Sequence, residues 1–133
     1  MDADGAKDFV RQHRRIVLGT IRRDGRAQLS PVIAAVGDDG RIEVSTREAT
    51  AKARNLRRDP RATLCALTDA FFGRWVQIEG TAEILSLPDA MEPLVAYYRR
   101  LSGEHENWDD YRRAMDEQQR CLLRITIDRA VGG

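Results

Sequence analysis

Short apolar segments separated by turn sequences make up most of the first 85 residues of the chain. Residues 15–22 are apolar at almost every position and rich in β-forming side chains, which indicates a strand covered on both faces. The sequence Arg-Asp-Gly-Arg at residues 23–26 is typical of a hairpin turn, because Gly25 can adopt a positive φ. We expect its partner strand over residues 27–36. A second turn at residues 37–40 then leads into a strand over residues 41–46.

Three further segments complete the predicted sheet. Residues 61–68 are expected to form a strand. Residues 74–85 alternate strictly, with Val76, Ile78 and Ile84 on one side, so a long antiparallel strand with one buried face is predicted. A last strand is expected over residues 121–127. Gly132 and Gly133 are expected to form an unstructured tail.

Helical patterns interrupt the strands at four places. A short polar helix is expected over residues 3–14, and a basic helix follows residue 50. Ser86, with Asp89 three residues later, matches a capping box, and the apolar stripe that follows predicts an amphipathic helix. Asn107 is placed to cap another helix. The chain is therefore predicted to be one mainly β domain over residues 1–133, an antiparallel barrel or sandwich of six strands with α additions.

Composition and charge exclude several classes of function. The net charge is +1, so no global field attracts nucleic acid. No apolar run reaches the ~18 residues of a membrane span, and the first residues lack the pattern of a signal peptide. We therefore expect a cytoplasmic protein without membrane contact. Cys65, Cys121, His13 and His105 are isolated in the sequence, so no metal site is predicted.

The most basic segment covers residues 45–60, STREATAKARNLRRDP. Either Thr46 or Thr50 can cap the helix, and Asp59-Pro60 ends it. A helix start has unpaired N–H groups and a partial positive charge, so it suits an anion such as phosphate, to which Lys52 would add charge. The alternative is a solvated basic helix without a ligand, because charge runs usually face water.

The predicted barrel also restricts where a ligand can bind. A barrel of six strands has a filled interior, so a ligand must lie outside it, against another surface. Pro31 cannot donate a hydrogen bond to a sheet and marks an edge, a bulge or a place where a ligand meets the backbone. An ordinary edge proline is the simplest interpretation. Trp75, with Phe71 and Phe72, offers apolar area for a dimer partner.

Four motifs together resemble those of a known family. They are TIRRDGRAQLSPV at residues 20–32, STREATAKARNLRRDPRATL at 45–64, RWVQIEG at 74–80 and GEHENWDDYRRAM at 103–115. The chain is similar over residues 16–131 to the pyridoxamine-phosphate-oxidase-like split β-barrel family. It is most similar to the branch that binds the deazaflavin coenzyme F420, because AKxRNLRRDPRA and GEHxxWDDYR are more specific to that branch than to FMN oxidases.

The resemblance implies a homodimer of six-stranded split barrels, with two cofactor sites in the grooves between the subunits. It makes Lys52 the main ligand of the cofactor phosphate, helped by Arg26 and the Thr50–Ala51 backbone, with Asn55 as a weaker candidate. The partner chain would contribute Trp75 and the segment around Arg129. The deazaflavin ring would lie along Gln28, Leu29, Ser30, Pro31, Val32, Val44, Ser45 and Thr46.

The implied activity is an F420H2-dependent reduction of an unsaturated or conjugated small organic molecule by hydride transfer. No catalytic side chain is identified, and Tyr97, Tyr98 or solvent could protonate a product. An FMN-binding oxidase or reductase of the same fold and a non-catalytic F420-binding protein are the alternatives. Three arginines have two open roles, contact with the anionic tail of F420 or contact with water only: Arg57, Arg58 and Arg61.

Overall fold

A computed structural model describes residues 1–133 as a curled antiparallel sheet with four helices. The helices are α1 Ala3–Gln12, α2 Ala51–Arg58, α3 Met91–Ser102 and α4 Trp108–Gln118. The strands are β1 Arg15–Ile21, β2 Ala27–Ile33, β3 Ala35–Val36, β4 Ile42–Arg47, β5 Arg61–Leu67, β6 Trp75–Leu85 and β7 Arg120–Gly132. None of the helices is long and apolar enough to cross a membrane.

The sheet closes on itself through the segment that was expected to be one strand over residues 27–36. The strand order is β2-β1-β5-β6-β7-β4-β3, so β2 and β3 form the two edges. β2 pairs with β1, whereas β3 pairs with β4, and the chain changes edge at Ala34. The mainly β fold is confirmed, but the sheet has seven strands rather than six, because this one segment supplies two.

Two groups of buried apolar side chains hold the fold together. The larger group fills the curled sheet and includes Leu18, Leu64, Ile78 and Ile125, with α1 and α2 packed against it. The smaller group lies between the sheet and the helices α3 and α4. It includes the aliphatic Leu94 and the aromatic Tyr97 and Tyr111. The second group forms the floor under the cleft described below.

The prediction that residues 15–22 are covered on both faces is wrong for the single chain. Burial alternates along β1, and Val17 on its outer side is 36% exposed. The neighbouring strand β2 exposes Leu29 (65%) and Ile33 (54%) on the same outer surface. A continuous apolar strand sequence predicts two covered faces, but it does not reveal whether the second face packs against the same chain or against another one. We call Val17, Leu29 and Ile33 the outer apolar surface.

Helix starts were predicted with mixed success. The Thr50 hydroxyl caps α2 by accepting from the Ala53 N–H, and Asn107 caps α4. The capping box at Ser86 is wrong, because α3 begins only at Met91 and has no side-chain cap. Ser86 instead donates to Glu48 Oε1 at 2.6 Å, a tertiary contact that the local motif cannot reveal. Gly132 belongs to β7 rather than to an unstructured tail.

A buried ion cluster ties the last strand to α3. The Glu43 side chain is 4% exposed and accepts from Arg100 at 2.9 Å and from Arg124 at 3.3 Å. Arg100 also reaches Asp38, whose side chain is 98% exposed. The single carboxylate of Glu43 therefore accepts hydrogen bonds from two arginines at the junction of β4, β7 and α3.

Replacing Glu43 by alanine is expected to lower the free energy of unfolding by about 1–3 kcal/mol, because two arginines lose their buried acceptor. Asp38→Ala is the matched control, since it removes the exposed partner of Arg100 and exposed pairs contribute at most about 1 kcal/mol. Chemical denaturation of both variants measures the difference. Equal losses in the two variants would contradict this account of the cluster.

Candidate functional site

A cleft of about 740 Å³ opens between the closing edge of the sheet and the helices α3 and α4. The strands β1, β2 and β4 and the start of β7 form one side, α2 contributes one residue, and α3 and α4 form the other side. The lining residues are Arg15, Ile16, Val17, Pro31, Val32, Ile33, Ser45, Thr46, Lys52, Tyr97, Tyr98, Tyr111, Met115 and Arg120.

The charged lining of the cleft is entirely cationic. Arg15, Lys52 and Arg120 line it, and no aspartate or glutamate does. None of these three cations pairs with a carboxylate. The only side-chain hydrogen bond among them joins Arg120 Nε to Gln118 Oε1 at 2.8 Å. Because a protein rarely collects like charges without a counter-charge, this arrangement favours an anionic ligand.

The start of α2 places Lys52 at this cleft. Thr50 caps the helix, and its hydroxyl lies 3.1 Å from that of Thr46 on β4. The buried side of α2, with Ala53 and Leu56, packs into the core. This packing fixes the direction of the helix, so Lys52 in its first turn faces the cleft, where the partial positive charge of a helix start also favours anions.

The opposite wall of the cleft is aromatic. Tyr97, Tyr98 and Tyr111 line it together with Met115. The Tyr97 hydroxyl donates to the Ile33 carbonyl at 2.6 Å. Burial raises the pKa of Tyr97, and it raises the pKa of Tyr111 to about 12. Both groups are therefore neutral at pH 7, and the wall presents flat apolar area suited to a planar molecule.

Five of the residues predicted for the cofactor site come together in the cleft: Pro31, Val32, Ser45, Thr46 and Lys52. Pro31 lies on the edge strand β2, which is one of the placements that its missing N–H allows. The neighbouring Ser30 hydroxyl is the only buried side-chain polar atom without a hydrogen-bond partner. Ser30, which was also predicted for the cofactor site, is not among the residues that line the cleft.

Other predicted residues lie around the cleft without lining it. Val44 is 1% exposed in the core of the sheet. Gln28 accepts a hydrogen bond from Thr20, and Leu29 belongs to the outer apolar surface. The Thr50 hydroxyl caps α2 by accepting from the Ala53 N–H. The next residue, Ala51, is exposed.

Three of the predicted residues lie on the surface away from the cleft. Arg26 is exposed at the β1–β2 turn. Trp75 is 41% exposed at the start of β6, and Arg129 lies 3.3 Å from Glu79 on the paired strand. Since neither Trp75 nor Arg129 lines the cleft of its own chain, their predicted contribution from a partner chain stays a prediction.

Asn55 has a different environment from the one expected for a phosphate ligand. It is 7% exposed, its Nδ2 donates to the Thr20 hydroxyl at 3.1 Å, and its Oδ1 accepts from Arg58 at 3.1 Å. Both ends of the amide are thus occupied within the fold. Asn55 lies about one helical turn after Lys52, and its side chain faces Thr20 on β1 instead of the cleft.

The three arginines with open roles are also engaged within the chain. Arg57 pairs with Glu48, and Arg61 pairs with Asp59 at 2.8 Å. Arg58 donates to the Ile21 carbonyl. These contacts give each of them a structural partner.

Several cleft residues were not identified from the sequence as site residues: Arg15, Arg120, Tyr111 and Met115. Arg15 and Arg120 are the first residues of β1 and β7. No local sequence pattern distinguishes them from ordinary surface arginines. Tyr111 lies inside the GEHENWDDYRRAM motif and matched the apolar side of a helix, a signal that indicates packing but not a cleft. No group of three His, Cys, Asp or Glu side chains that could hold a metal ion is present.

Comparison with known proteins identifies the family. Residues 3–131 match the sequence profile described as pyridoxamine 5'-phosphate oxidase. The chain belongs to the pyridoxamine 5'-phosphate oxidase family. This confirms the family expected from the four motifs, and the match covers almost all of the described chain.

Solved structures share the fold of this family member. The conserved hypothetical protein Rv2991 from Mycobacterium tuberculosis is 31% identical, with a TM-score of 0.80, over 99% of this chain and 84% of that one. An F420 reductase is 17% identical, with a TM-score of 0.73, over 94% of both chains. A FAD-binding protein from Mesorhizobium loti is 18% identical, with a TM-score of 0.70, over 99% of this chain and 92% of that one. The split-barrel fold is thereby confirmed.

Replacing Asn55 by alanine is expected to destabilise the protein by about 1–3 kcal/mol, because the Thr20 hydroxyl and the Arg58 side chain lose a buried partner. Thermal and chemical denaturation measure this loss. Arg54→Ala, an exposed change on the same helix, serves as control and should stay within about 0.5 kcal/mol of the parent. An Asn55→Ala protein as stable as this control would show that the amide has no structural role.

Proposed function

We propose that the protein is an F420H2-dependent oxidoreductase that transfers a hydride to an unsaturated or conjugated small organic molecule. The observation that carries this proposal is the cleft with three unpaired cations, no carboxylate and an aromatic wall. A ligand with an anionic group and a flat ring system matches that combination. The family assignment and the shared fold with an F420 reductase support the same choice.

The residues of the cleft fit such a cofactor in two respects. Lys52 and Arg120 supply charge for its phosphate, and the capped start of α2 adds backbone N–H groups. The proline edge of β2 and the aromatic wall offer apolar contacts for the ring. When bound, the reduced deazaflavin would supply a hydride, and the protein would bind the ring, orient the acceptor and exclude water.

We also propose that the protein works as a cytoplasmic homodimer. The outer apolar surface exposes three large side chains on neighbouring strands, and Trp75 and Phe72 add further exposed apolar area on the same chain. Exposed apolar area of this kind is typical of an interface. In a homodimer, the partner's Trp75 and the partner's Arg129 would complete the cofactor site, as the family resemblance implies.

A flavin is the second candidate cofactor. A FAD-binding protein shares the fold, and a phosphate with a planar ring would meet the same cations and the same aromatic wall. An FMN-binding oxidase or reductase is therefore the alternative function. A non-catalytic F420-binding protein is the third interpretation, because cofactor binding alone would account for the cationic cleft.

Titration of the apoprotein with F420 and with FMN, followed by fluorescence, separates these functions. We expect saturable F420 binding that is tighter than FMN binding, and oxidation of F420H2 when an enone or quinone acceptor is added. Tight FMN binding without any response to F420 would reverse the order of the candidates. F420 binding without F420H2 oxidation by any acceptor would favour the non-catalytic protein.

Lys52→Ala is expected to weaken F420 binding by about 1.5–3 kcal/mol, the range for a hydrogen bond to a charged group. The melting temperature should be nearly unchanged, because Lys52 forms no hydrogen bond or ion pair within the chain. Arg113→Ala on α4 removes one exposed cation away from the cleft and controls for net charge. An F420 affinity equal to that of the parent would remove Lys52 from the site.

Leu29→Glu is expected to convert a dimer into a monomer and to weaken cofactor binding together, because a charge would be buried in the proposed interface. Light scattering should give twice the 15.1 kDa chain mass for the parent protein and once that mass for the variant. Gln12→Glu adds the same charge on the exposed side of α1 and should remain dimeric. A monomeric parent protein that still binds F420 tightly would exclude a shared site.

A further inference from the structure

Two of the three cations that line the cleft lie at the same end of β4. Arg120 on β7 is paired with Arg47, the last residue of β4. Lys52 follows Thr50, whose hydroxyl lies 3.1 Å from the hydroxyl of Thr46 on β4. These two cations therefore share one end of the cleft, which we call the phosphate end because the proposed cofactor phosphate would bind there.

The third cation, Arg15, lies on a different part of the curled sheet. It is the first residue of β1 and is paired with Ile33 on β2. Whole strands separate β1 from β7 in both directions: β5 and β6 through the sheet, and β2 and β4 across the closure. Arg15 and Arg120 thus line the cleft from separate sides, and the positive charge of Arg15 is not part of the phosphate end.

Arg15 also differs from the arginine that precedes it. Arg14 donates to the Leu101 carbonyl at 3.1 Å and to the Arg11 carbonyl at 3.3 Å, so its side chain joins α1 to the end of α3. The Arg15 side chain is exposed and forms no hydrogen bond or ion pair within the chain, although it lines the cleft. Arg14 therefore has a structural role, and the guanidinium of Arg15 is available to a ligand.

The surroundings of Arg15 favour a planar group with a single negative charge. Ile16, Val17 and Ile33 line the cleft beside it, and no aspartate or glutamate does. Apolar neighbours lower the local dielectric constant, so a charged hydrogen bond is stronger there than in water. A guanidinium is a planar fork of N–H donors that matches the two oxygens of a carboxylate. A phosphate, which carries more charge, is better matched by the paired cations of the phosphate end.

We propose that Arg15 binds a carboxylate carried by the hydride acceptor. This inference rests on the proposed function and names the substrate class: a flat conjugated acid whose carboxylate contacts Arg15 while its unsaturated part lies along the aromatic wall. The cofactor phosphate would occupy the phosphate end, so the two anions do not compete for the same cations. Holding the acceptor by its charged group fixes the position of its double bond relative to the cofactor.

The carboxylate takes no part in the electron balance. One carbon of the conjugated double bond gains a hydride from the reduced cofactor, and the other gains a proton from water. The acceptor is thereby reduced by two electrons while the cofactor is oxidised by two. Arg15 keeps its proton throughout, so its role is to bind and orient the acceptor and to select molecules that carry a carboxylate.

A flat enone in two forms tests this contact on the apoprotein. 4-Carboxybenzylideneacetone carries a carboxylate opposite its enone, and its methyl ester is the uncharged match. Tryptophan fluorescence follows both titrations, since Trp108 packs on Tyr98 of the cleft wall. For Arg15→Gln we expect roughly tenfold weaker binding of the carboxylate, the effect of one lost charged hydrogen bond, and unchanged binding of the ester. Arg15→Lys keeps the charge without the fork and should restore part of the carboxylate affinity.

Two further variants locate the effect within the molecule. Lys52→Ala should keep the preference for the carboxylate over the ester, because Lys52 belongs to the phosphate end. Arg113→Gln removes an exposed cation of α4 and should bind both probes as the parent does. With F420H2 present, Arg15→Gln should lower kcat/KM for the carboxylate roughly tenfold, mainly through KM, and leave kcat/KM for the ester unchanged. Its F420 affinity, melting temperature and mass by light scattering should equal those of the parent.

Several outcomes would overturn this inference. Equal carboxylate affinity in the parent and Arg15→Gln proteins would do so, as would equal losses for carboxylate and ester or a parent protein that binds neither probe. A preference abolished by Lys52→Ala instead would place the carboxylate at the phosphate end. A matching loss of F420 affinity in Arg15→Gln would make Arg15 a cofactor ligand, and a changed mass would make it a contact between two copies of the chain.

The proposed function can fail separately from this inference. A parent protein that does not bind F420, but prefers the carboxylate over the ester and loses that preference in Arg15→Gln, would refute the proposed function alone. A parent protein that binds F420 and shows no effect of Arg15 would refute this inference alone.

Discussion

The closure of the sheet at Ala34 is the constraint on which the rest of the structure depends. There the chain leaves the strand paired with β1 and joins the opposite edge beside β4. Because of this change of edge, Pro31 and Val32 on β2 line the same side of the cleft as Ser45 and Thr46 on β4. Without closure these pairs would stand at opposite ends of a seven-stranded sheet.

The distribution of charge follows from that geometry. Arginines on the far side of α2 find partners in Glu48, Ser86 and the Ile21 carbonyl, so they stabilise the join between helix and sheet. Lys52, on the side that faces the cleft, has no such partner. The partners of the cations on this short helix thus depend on which acceptors the fold brings near each side.

The helices α3 and α4 give the cleft its second, aromatic side. Their inner surfaces pack on the sheet through Leu94 and neighbouring apolar side chains, while three tyrosines face the cleft. A cleft forms in this way outside the filled interior of the sheet, where an aromatic wall faces a cationic edge. The wall and the edge come from distant parts of the chain, so the site depends on the packing between them.

The sequence by itself determined most of the strands, the basic helix with a cap at Thr46 or Thr50, and the family, because periodicity, capping and motif spacing are local properties. Through the resemblance it also predicted Pro31, Val32, Ser45, Thr46 and Lys52 for the cofactor site, and these residues line the cleft. Only the tertiary structure decided that one segment forms two strands, that Asn55 faces Thr20, and that Arg120 and three tyrosines share a cleft with Lys52. Those outcomes depend on contacts between residues far apart in the chain, which no local pattern records.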